Sequence, residues 1–165
     1  MRPSRINESK FVDRIDRKIL GHYQHDTRRI AKSIGADVGL SAAAVQRRLK
    51  RLRAEGVIAA EIAVLDRGLI GESIVTCIVT LSMAAAPAPG AHLDRFRRQM
   101  VDHPMVQQCY HVTGTSDFVV IVIAKSMEAY GAFTRRWFES NPHVTRYDTH
   151  VALERVKVGL SLPVD

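Results

Sequence analysis

The 165-residue chain has only two cysteines and no long hydrophobic segment. Cys77 and Cys109 are too few for a disulfide framework, and neither has the CxxC or Cys/His spacing of a zinc site. The longest apolar run, residues 118–124, is far shorter than the roughly 20 residues that cross a bilayer. The basic residues 1–5 are not followed by the apolar core of a signal peptide. These absences predict a reduced, cytoplasmic protein without a membrane partner.

The sequence also lacks the motifs of several enzyme classes. It contains no P-loop, HExxH, GxGxxG or nucleophile elbow. His22 and His25 lie three residues apart, but no third metal ligand accompanies them. We therefore expect no catalytic residues, no metal and no cofactor.

Positive charge is concentrated in the first third of the chain. The net charge is +7, yet residues 1–56 hold 14 Lys or Arg against 6 Asp or Glu, a local charge of +8. Residues 57–165 are close to neutral, at −1. This asymmetry predicts a head that binds a polyanion, joined to a body with another role. Solubility through net charge is the alternative interpretation.

Three helices are predicted in this basic segment. Apolar residues at steps of three and four predict helices over about 9–24, over a shorter stretch that ends at Gly39, and over about 42–54. Gly39 suits the left-handed position after a helix, and Ser41 suits the N-cap of the next one. Two helices joined by a short turn that contains glycine form the helix-turn-helix pattern.

The third predicted helix has a cationic outer face. On a helical wheel Val45, Leu49 and Leu52 point to the core, and the opposite side is basic with one amide. Arginine and lysine bind phosphates or guanine edges, and glutamine binds adenine. The candidate DNA-binding residues are Arg28, Ser41, Ala43, Gln46, Arg47, Lys50 and Arg51. The alternative is an amphipathic surface helix whose basic face is only solvated.

The remaining two thirds of the chain predict a second, mixed domain. Residues 59–65 should be extended, 66–71 should form a hinge-like connector, and the Pro- and Gly-rich residues 84–90 should form a surface loop. Strands are predicted over 73–83, 106–113, 118–124 and 144–158, with helices around 93–101 and 127–140. This order is βαββαβ, a ferredoxin-like sandwich with its helices on one face.

The turn between the second and third predicted strands is a candidate ligand site. Gly114 lets backbone N–H groups approach a carboxylate, Thr115 and Ser116 offer hydroxyls, and Asp117 could pair with an α-ammonium group. The candidate effector-binding residues are Thr113, Gly114, Thr115, Ser116 and Asp117. An ordinary hairpin turn is the alternative, because the same residue types favour turns.

Four segments carry a resemblance to a known family. They are VDRIDRKIL at 12–20, GLSAAAVQRRLKRL at 39–52, EGVI at 55–58 and VTGTSDF at 112–118. In this order and spacing they resemble the Lrp/AsnC family of bacterial and archaeal transcriptional regulators, over about residues 11–163. One departure is Gly35, where the family commonly has alanine.

The resemblance implies an α+β protein with a winged helix-turn-helix head and a ferredoxin-like domain of RAM or ACT type. The head would span 1–58 with its motif at about 31–50, the linker 59–71, and the effector-binding and oligomerisation domain 72–165. It also implies a sequence-specific regulator that binds a pseudo-palindromic operator in double-stranded DNA. An amino acid, bound between subunits of a homodimer or octamer, would modulate that binding.

Two alternatives to this function remain open at the level of sequence. One is a nucleoid-type DNA organiser that responds to no effector. The other, which we favour less, is an enzyme similar to sirohaem decarboxylases. Such an enzyme would need histidines and arginines that converge on a tetrapyrrole, and no clear cluster of them occurs in the second predicted domain.

Overall fold

The computed structural model describes residues 12–71, 73–84 and 90–164. Two compact units are present: residues 12–64 with 157–164 form one, and residues 65–156 form the other. The predicted division at 1–58, 59–71 and 72–165 stays a prediction. No described helix is both long and apolar enough to cross a membrane.

Three helices build the first unit, which we call the head: α1 (Arg14–Tyr23), α2 (Ala31–Val38) and α3 (Ala42–Ala54). Helix α1 begins later than the predicted residue 9, because Asp13 caps it. The Asp13 carboxylate accepts the Asp16 backbone N–H at 2.7 Å, and the Asp16 side chain accepts that of Asp13 at 3.1 Å. Residues 9–11 of the prediction lie outside the described residues.

The turn between α2 and α3 has the predicted chemistry. Gly39 follows α2 with a φ of 72°, a conformation that glycine adopts at little cost. The Ser41 hydroxyl accepts the Ala44 backbone N–H at 3.2 Å and so caps α3. Helix α2 therefore ends, and α3 begins, where the sequence predicts. The head core consists of Ile19, Tyr23, Ile34, Val45 and Leu49.

The segment after α3, residues 57–71, lacks the strands expected of a wing and contains one short helix in the predicted connector. Residues 57–66 of the described chain form no strand. The predicted hinge contains a short helix, α4 (Arg67–Ile70), which begins after Asp66. The Asp66 carboxylate accepts the Gly68 N–H at 2.9 Å, and this local bond stabilises the first turn.

The second unit contains a four-stranded antiparallel sheet with strand order β2-β3-β1-β4. The strands are β1 (Val75–Met83), β2 (Val106–His111), β3 (Phe118–Ala124) and β4 (Val144–Val151). Helix α5 (Ala91–Val101) follows β1, and α6 (Met127–Thr134) follows β3 and continues into a π-helical turn, Arg135–Glu139. The predicted βαββαβ order is confirmed.

Two predicted strands are too long. Strand β4 ends at Val151 rather than at 158, because its partner β1 begins at Val75 and the pairing of the two strands ends there. The Ala152 N–H donates to the Thr76 carbonyl, and Leu153 beyond it is fully exposed. Strand β2 ends at His111 rather than at 113. Of the predicted loop 84–90, residues 85–89 lie outside the described chain.

One face of the sheet carries the core of the second unit. Side chains alternate along β1 and β3, and the buried set packs against α5, α6 and the π turn. This core comprises Cys77, Val79, Leu81, Phe96, Met100, Phe118, Val120, Val122, Ala124, Tyr130, Phe133 and Phe138. Burial in it raises the pKa of Tyr130 to about 12. The opposite, open face carries Ile78, Val119, Ile121 and Ile123, of which Ile78 is 38% exposed.

Candidate functional site

Helix α3 presents its basic face to solvent. Val45, Leu49 and Leu52 are buried, as the wheel predicts, and this packing fixes which side of α3 points outward. Ala43, Gln46, Arg47 and Lys50 are exposed. The side chains of Gln46, Arg47 and Lys50 make no hydrogen bond or ion pair with the described residues, so their polar groups are free to bind a partner molecule.

Two other arginines of α3 hold the helix in place. Arg48 Nη1 donates to Asp16 Oδ1 at 2.8 Å and to Asp13 Oδ2 at 2.6 Å. Arg51 Nη2 donates to the other carboxylate oxygen of Asp16, which is completely buried. Two hydrogen bonds lower the pKa of Asp13 below its ordinary value. The larger effect comes from the backbone N–H of Asp16 and the smaller from the guanidinium of Arg48. These ion pairs fasten α3 to α1.

This ion-pair cluster was not predicted from the sequence. Asp13 and Asp16 lie three residues apart on α1, as do Arg48 and Arg51 on α3, so each pair shares one helix face. That matched spacing is the signal that could have revealed it. Arg51 is predicted to contact DNA, but its guanidinium is engaged by Asp16. Its role in DNA binding stays a prediction.

The other predicted DNA-binding residues lie before the two helices of the helix-turn-helix. Ser41 is exposed and serves as the N-cap of α3. Arg28, in the loop before α2, is exposed and its Nε donates to Asp26 at 3.0 Å. In the described residues no group of three or more His, Cys, Asp or Glu side chains could hold a metal ion.

The turn 113–117, between β2 and β3, is anchored to β1. The Asp117 N–H donates to the Leu81 carbonyl at 2.8 Å, and Asp117 Oδ2 accepts the Met83 N–H at 2.6 Å. Gly114 has a φ of 116°, which favours glycine strongly. Thr113, Gly114 and Thr115 are exposed, and Ser116 and Asp117 are half-buried. Asp117 Oδ1 has no hydrogen bond with the described chain and remains available to a ligand.

Both units match the parts of one protein family. Residues 12–53 match the AsnC-type helix-turn-helix domain, and residues 76–162 match the Lrp/AsnC ligand binding domain. An HTH-type transcriptional regulator of Sinorhizobium fredii is 38% identical over 154 residues, which are 93% of this chain and 89% of the relative. The chain belongs to the Lrp/AsnC family. It is a helix-turn-helix transcriptional regulator, as its relatives are.

Solved structures of the Lrp/AsnC family share the fold. An AsnC family transcriptional regulator from Agrobacterium tumefaciens is similar with a TM-score of 0.79 and 28% identity, over 92% of this chain and 97% of that one. A transcriptional regulator from Neisseria meningitidis, solved as an L-Met complex, has a TM-score of 0.80 and 24% identity, over 94% and 98% of the two chains. The α+β fold class is thereby confirmed.

Proposed function

We propose that this Lrp/AsnC regulator reads its operator through the exposed face of α3 and responds to a free amino acid bound at the turn 113–117. The observation that carries the proposal is the free polar face of α3, where Gln46, Arg47 and Lys50 are exposed beside a buried apolar stripe. A helix of this kind fits the major groove, where arginine and glutamine discriminate bases and lysine binds phosphate. Arg28 and Ser41 would contact the DNA backbone.

The chemistry of the turn 113–117 supports an amino acid as the effector. Backbone N–H groups beside Gly114 and the hydroxyls of Thr115 and Ser116 can bind a carboxylate, and the free Oδ1 of Asp117 can accept an ammonium group. The regulator from Neisseria meningitidis was solved with L-methionine, which supports an amino acid as the ligand class. If the effector binds one conformation of the protein more tightly than another, it shifts the protein toward that conformation. The affinity of the protein for its operator would change as a result.

We propose further that the open face of the sheet packs against a second copy of the chain. Residues of β3 are apolar on both faces, a pattern typical of strands covered on both sides. Ile78 and Tyr110 share this open face and are 38% and 50% exposed. A homodimer would present two α3 helices to one pseudo-palindromic operator, and a neighbouring subunit would complete the effector site. Dimers could assemble further, to an octamer.

Regulation of transcription, and not catalysis, is the function that we propose, and it places the protein in the cytoplasm with the DNA. A coloured complex with a tetrapyrrole would contradict the proposal that the protein is a regulator and not an enzyme. Operator binding that no amino acid alters would instead favour a nucleoid-type organiser. The described residues offer no observation that favours either alternative.

The test combines operator selection with an amino-acid screen. DNA selected from a random library should contain a pseudo-palindrome, and its affinity should fall steeply with salt because phosphate contacts release counterions. A thermal-shift screen of the amino acids should find one that raises the melting temperature. Asp117→Ala should abolish that shift. Asp117→Asn keeps an oxygen that can accept the Met83 N–H. If this variant also loses the thermal shift, Asp117 acts by contacting the ligand and not only by anchoring the turn.

A further inference from the structure

A polar cavity lies in the sheet-containing unit. It has a volume of about 230 Å³ and opens between α5, the π turn and residues 140–143. Its wall includes His92, Arg95, Gln99, Arg136, Trp137 and His143. Neither α3 nor the turn 113–117 contributes a lining residue among the described residues. The function proposed above does not use this cavity.

The cavity wall is cationic. Arg95 and Arg136 are exposed at its mouth and make no ion pair with the described chain. Among the described residues no aspartate or glutamate lines it. The two nearest carboxylates along the chain are engaged elsewhere, since Asp94 accepts Arg97 at 2.7 Å and Glu139 accepts the Tyr147 hydroxyl at 2.7 Å. Every charged side chain in the wall is thus one that attracts an anion.

His92 leaves a polar atom unsatisfied in this wall. Its Nδ1 is buried and has no hydrogen-bond partner among the described residues. Its ring lies beside that of His143, with the ring centroids 5.1 Å apart. Buried polar atoms are nearly always hydrogen-bonded, so an orphaned one indicates a missing water or ligand. The unsatisfied Nδ1 atom indicates a bound molecule independently of the charge of the wall.

The π turn shapes the other side of the cavity. Residues 135–139 leave the regular helical spacing of α6, and this irregular turn carries both Arg136 and Trp137. The Arg136 guanidinium lies 6.0 Å from the centre of the Trp137 ring. Single π turns within helices occur frequently at functional sites. Here the interruption combines a cation with a flat apolar surface in one wall.

We propose that this cavity binds a small organic phosphate. The phosphate oxygens would accept hydrogen bonds from Arg95, Arg136 and an imidazole N–H, and the organic part would lie against Trp137. A phosphate offers three oxygens to such converging donors, whereas a carboxylate offers two. The planar guanidinium groups match phosphate geometry with two parallel hydrogen bonds. The ligand is therefore a phosphorylated metabolite, different in class from an amino acid.

The single tryptophan of the chain makes the proposal directly measurable. Trp137 is the only tryptophan, so its fluorescence reports on this cavity in the full-length protein without a label or DNA. We expect a saturable fluorescence change on titration with phenyl phosphate, a weaker affinity for inorganic phosphate, and weaker affinities again for benzoate and phenol. Equal affinity for phenol or benzoate, or no saturation with phenyl phosphate, would overturn the proposal.

Matched variants locate the binding. Arg136→Gln and Arg95→Gln should each lower the affinity for phenyl phosphate roughly tenfold, the effect of one charge-assisted hydrogen bond. His92→Gln should lower it as well. Arg98→Gln removes the same charge from an exposed position on α5 outside the cavity and should leave the affinity unchanged. Circular dichroism checks that each variant is folded.

The variants and competitors also separate this site from the amino-acid site. If Arg98→Gln weakens binding as much as Arg136→Gln, the attraction is general surface charge and the cavity is not a site. If an amino acid competes with phenyl phosphate and Asp117→Asn abolishes that competition, the cavity belongs to the effector site and the proposal is wrong. Phosphate binding that survives in Asp117→Asn supports it.

Discussion

Asp16 is the residue on which the placement of the DNA-binding helix depends most directly. Its carboxylate is completely buried, and both of its oxygens accept from arginines of α3. Burial of a charge is costly unless hydrogen bonds compensate for it, and here Arg48, Arg51 and the Asp13 N–H supply them. Because Arg47 and Lys50 lie on the same helix, this cluster also sets the direction of the side chains that we propose to contact DNA.

Asp16→Asn should destabilise the head while Asp13→Asn should hardly do so. The first variant removes the buried charge and weakens two ion pairs, so we expect a loss of roughly 1.5–3 kcal/mol in the free energy of unfolding. Asp13 is exposed, and asparagine is an equally good N-cap, so its replacement should cost less than about 1 kcal/mol. Urea unfolding measures both. Equal losses in the two variants would refute the special role of the buried carboxylate.

His103 should make the second unit sensitive to mild acid. Its Nδ1 accepts the Met105 N–H at 3.1 Å, and its ring packs edge-on against Phe133 and Trp137. Burial lowers its pKa from 6.5, so the unfolded chain binds the proton more readily than the folded one. The stability that neutral His103 provides is complete above pH 6.5 and is lost as the pH falls through the lower folded value.

The melting temperature at pH 7.5 and 5.5 tests this prediction. His103→Asn keeps an oxygen for the Met105 N–H but cannot titrate in this range, so it should lose less stability between the two pH values than the unsubstituted protein. Identical losses in the two proteins would show that His103 does not carry the pH dependence.

At the scale of elements, the turn between α2 and α3 explains why residue 35 is a glycine. The Leu40 N–H donates to the Gly35 carbonyl at 2.9 Å, and a Cβ on Gly35 would lie 2.4 Å from the Leu40 carbonyl oxygen. That oxygen belongs to the backbone and cannot rotate away as a side chain can. The turn of this chain is closer to α2 than an alanine allows.

Gly35→Ala should therefore destabilise the head, although alanine favours a helix by about 1 kcal/mol over glycine. We expect the steric cost of roughly 1–3 kcal/mol to dominate. Gly131→Ala is the matched control, since a Cβ on Gly131 of α6 would meet only Arg135 Nη1, at 3.3 Å. Urea unfolding should show destabilisation in the first variant and none in the control. A stabilised Gly35→Ala protein would contradict the geometry.

The elements could be predicted wherever local chemistry determines them. Gly39 and Ser41 fix the turn before α3, and the alternation in β3 follows from its own residues. The end of β4 could not be predicted, because it depends on where β1 begins. The contact of Asp16 with Arg48 joins residues 32 positions apart, so the spacing within each helix could suggest the two charged faces but not that they meet. The cavity likewise could not be predicted, because it brings α5 together with the π turn, which lies far from it in the sequence.

At the scale of the whole molecule, the chain enters the head twice. Residues 12–64 form most of that unit, and residues 157–164 return to it after the sheet. Gln24, which follows α1, binds this C-terminal segment. Its side-chain amide donates to the Leu162 carbonyl and accepts the Leu162 N–H, both at 2.9 Å. The chain therefore connects the sheet-containing unit to the head at both of its ends.

The proposed dimer should depend on the open face of the sheet. Ile78→Glu would place a charge at the centre of this face, opposite Ile121, and should shift the protein from dimer to monomer in sedimentation velocity. Ile62→Glu is the matched control, because Ile62 lies outside the sheet and is 67% exposed. An Ile78→Glu protein that sediments like the unsubstituted one would place the subunit contact elsewhere.

The affinity of Arg47→Ala for the selected operator, measured by fluorescence anisotropy at fixed salt, tests the central claim most directly. Arg47 is exposed and has no partner in the described chain, so its removal should leave the melting temperature unchanged. We predict that the variant binds the operator about 1–3 kcal/mol more weakly, while Arg98→Ala, which removes an exposed arginine outside the head, binds as before. An Arg47→Ala protein that binds within about twofold of the unsubstituted protein would contradict the assignment of α3 as the helix that reads DNA.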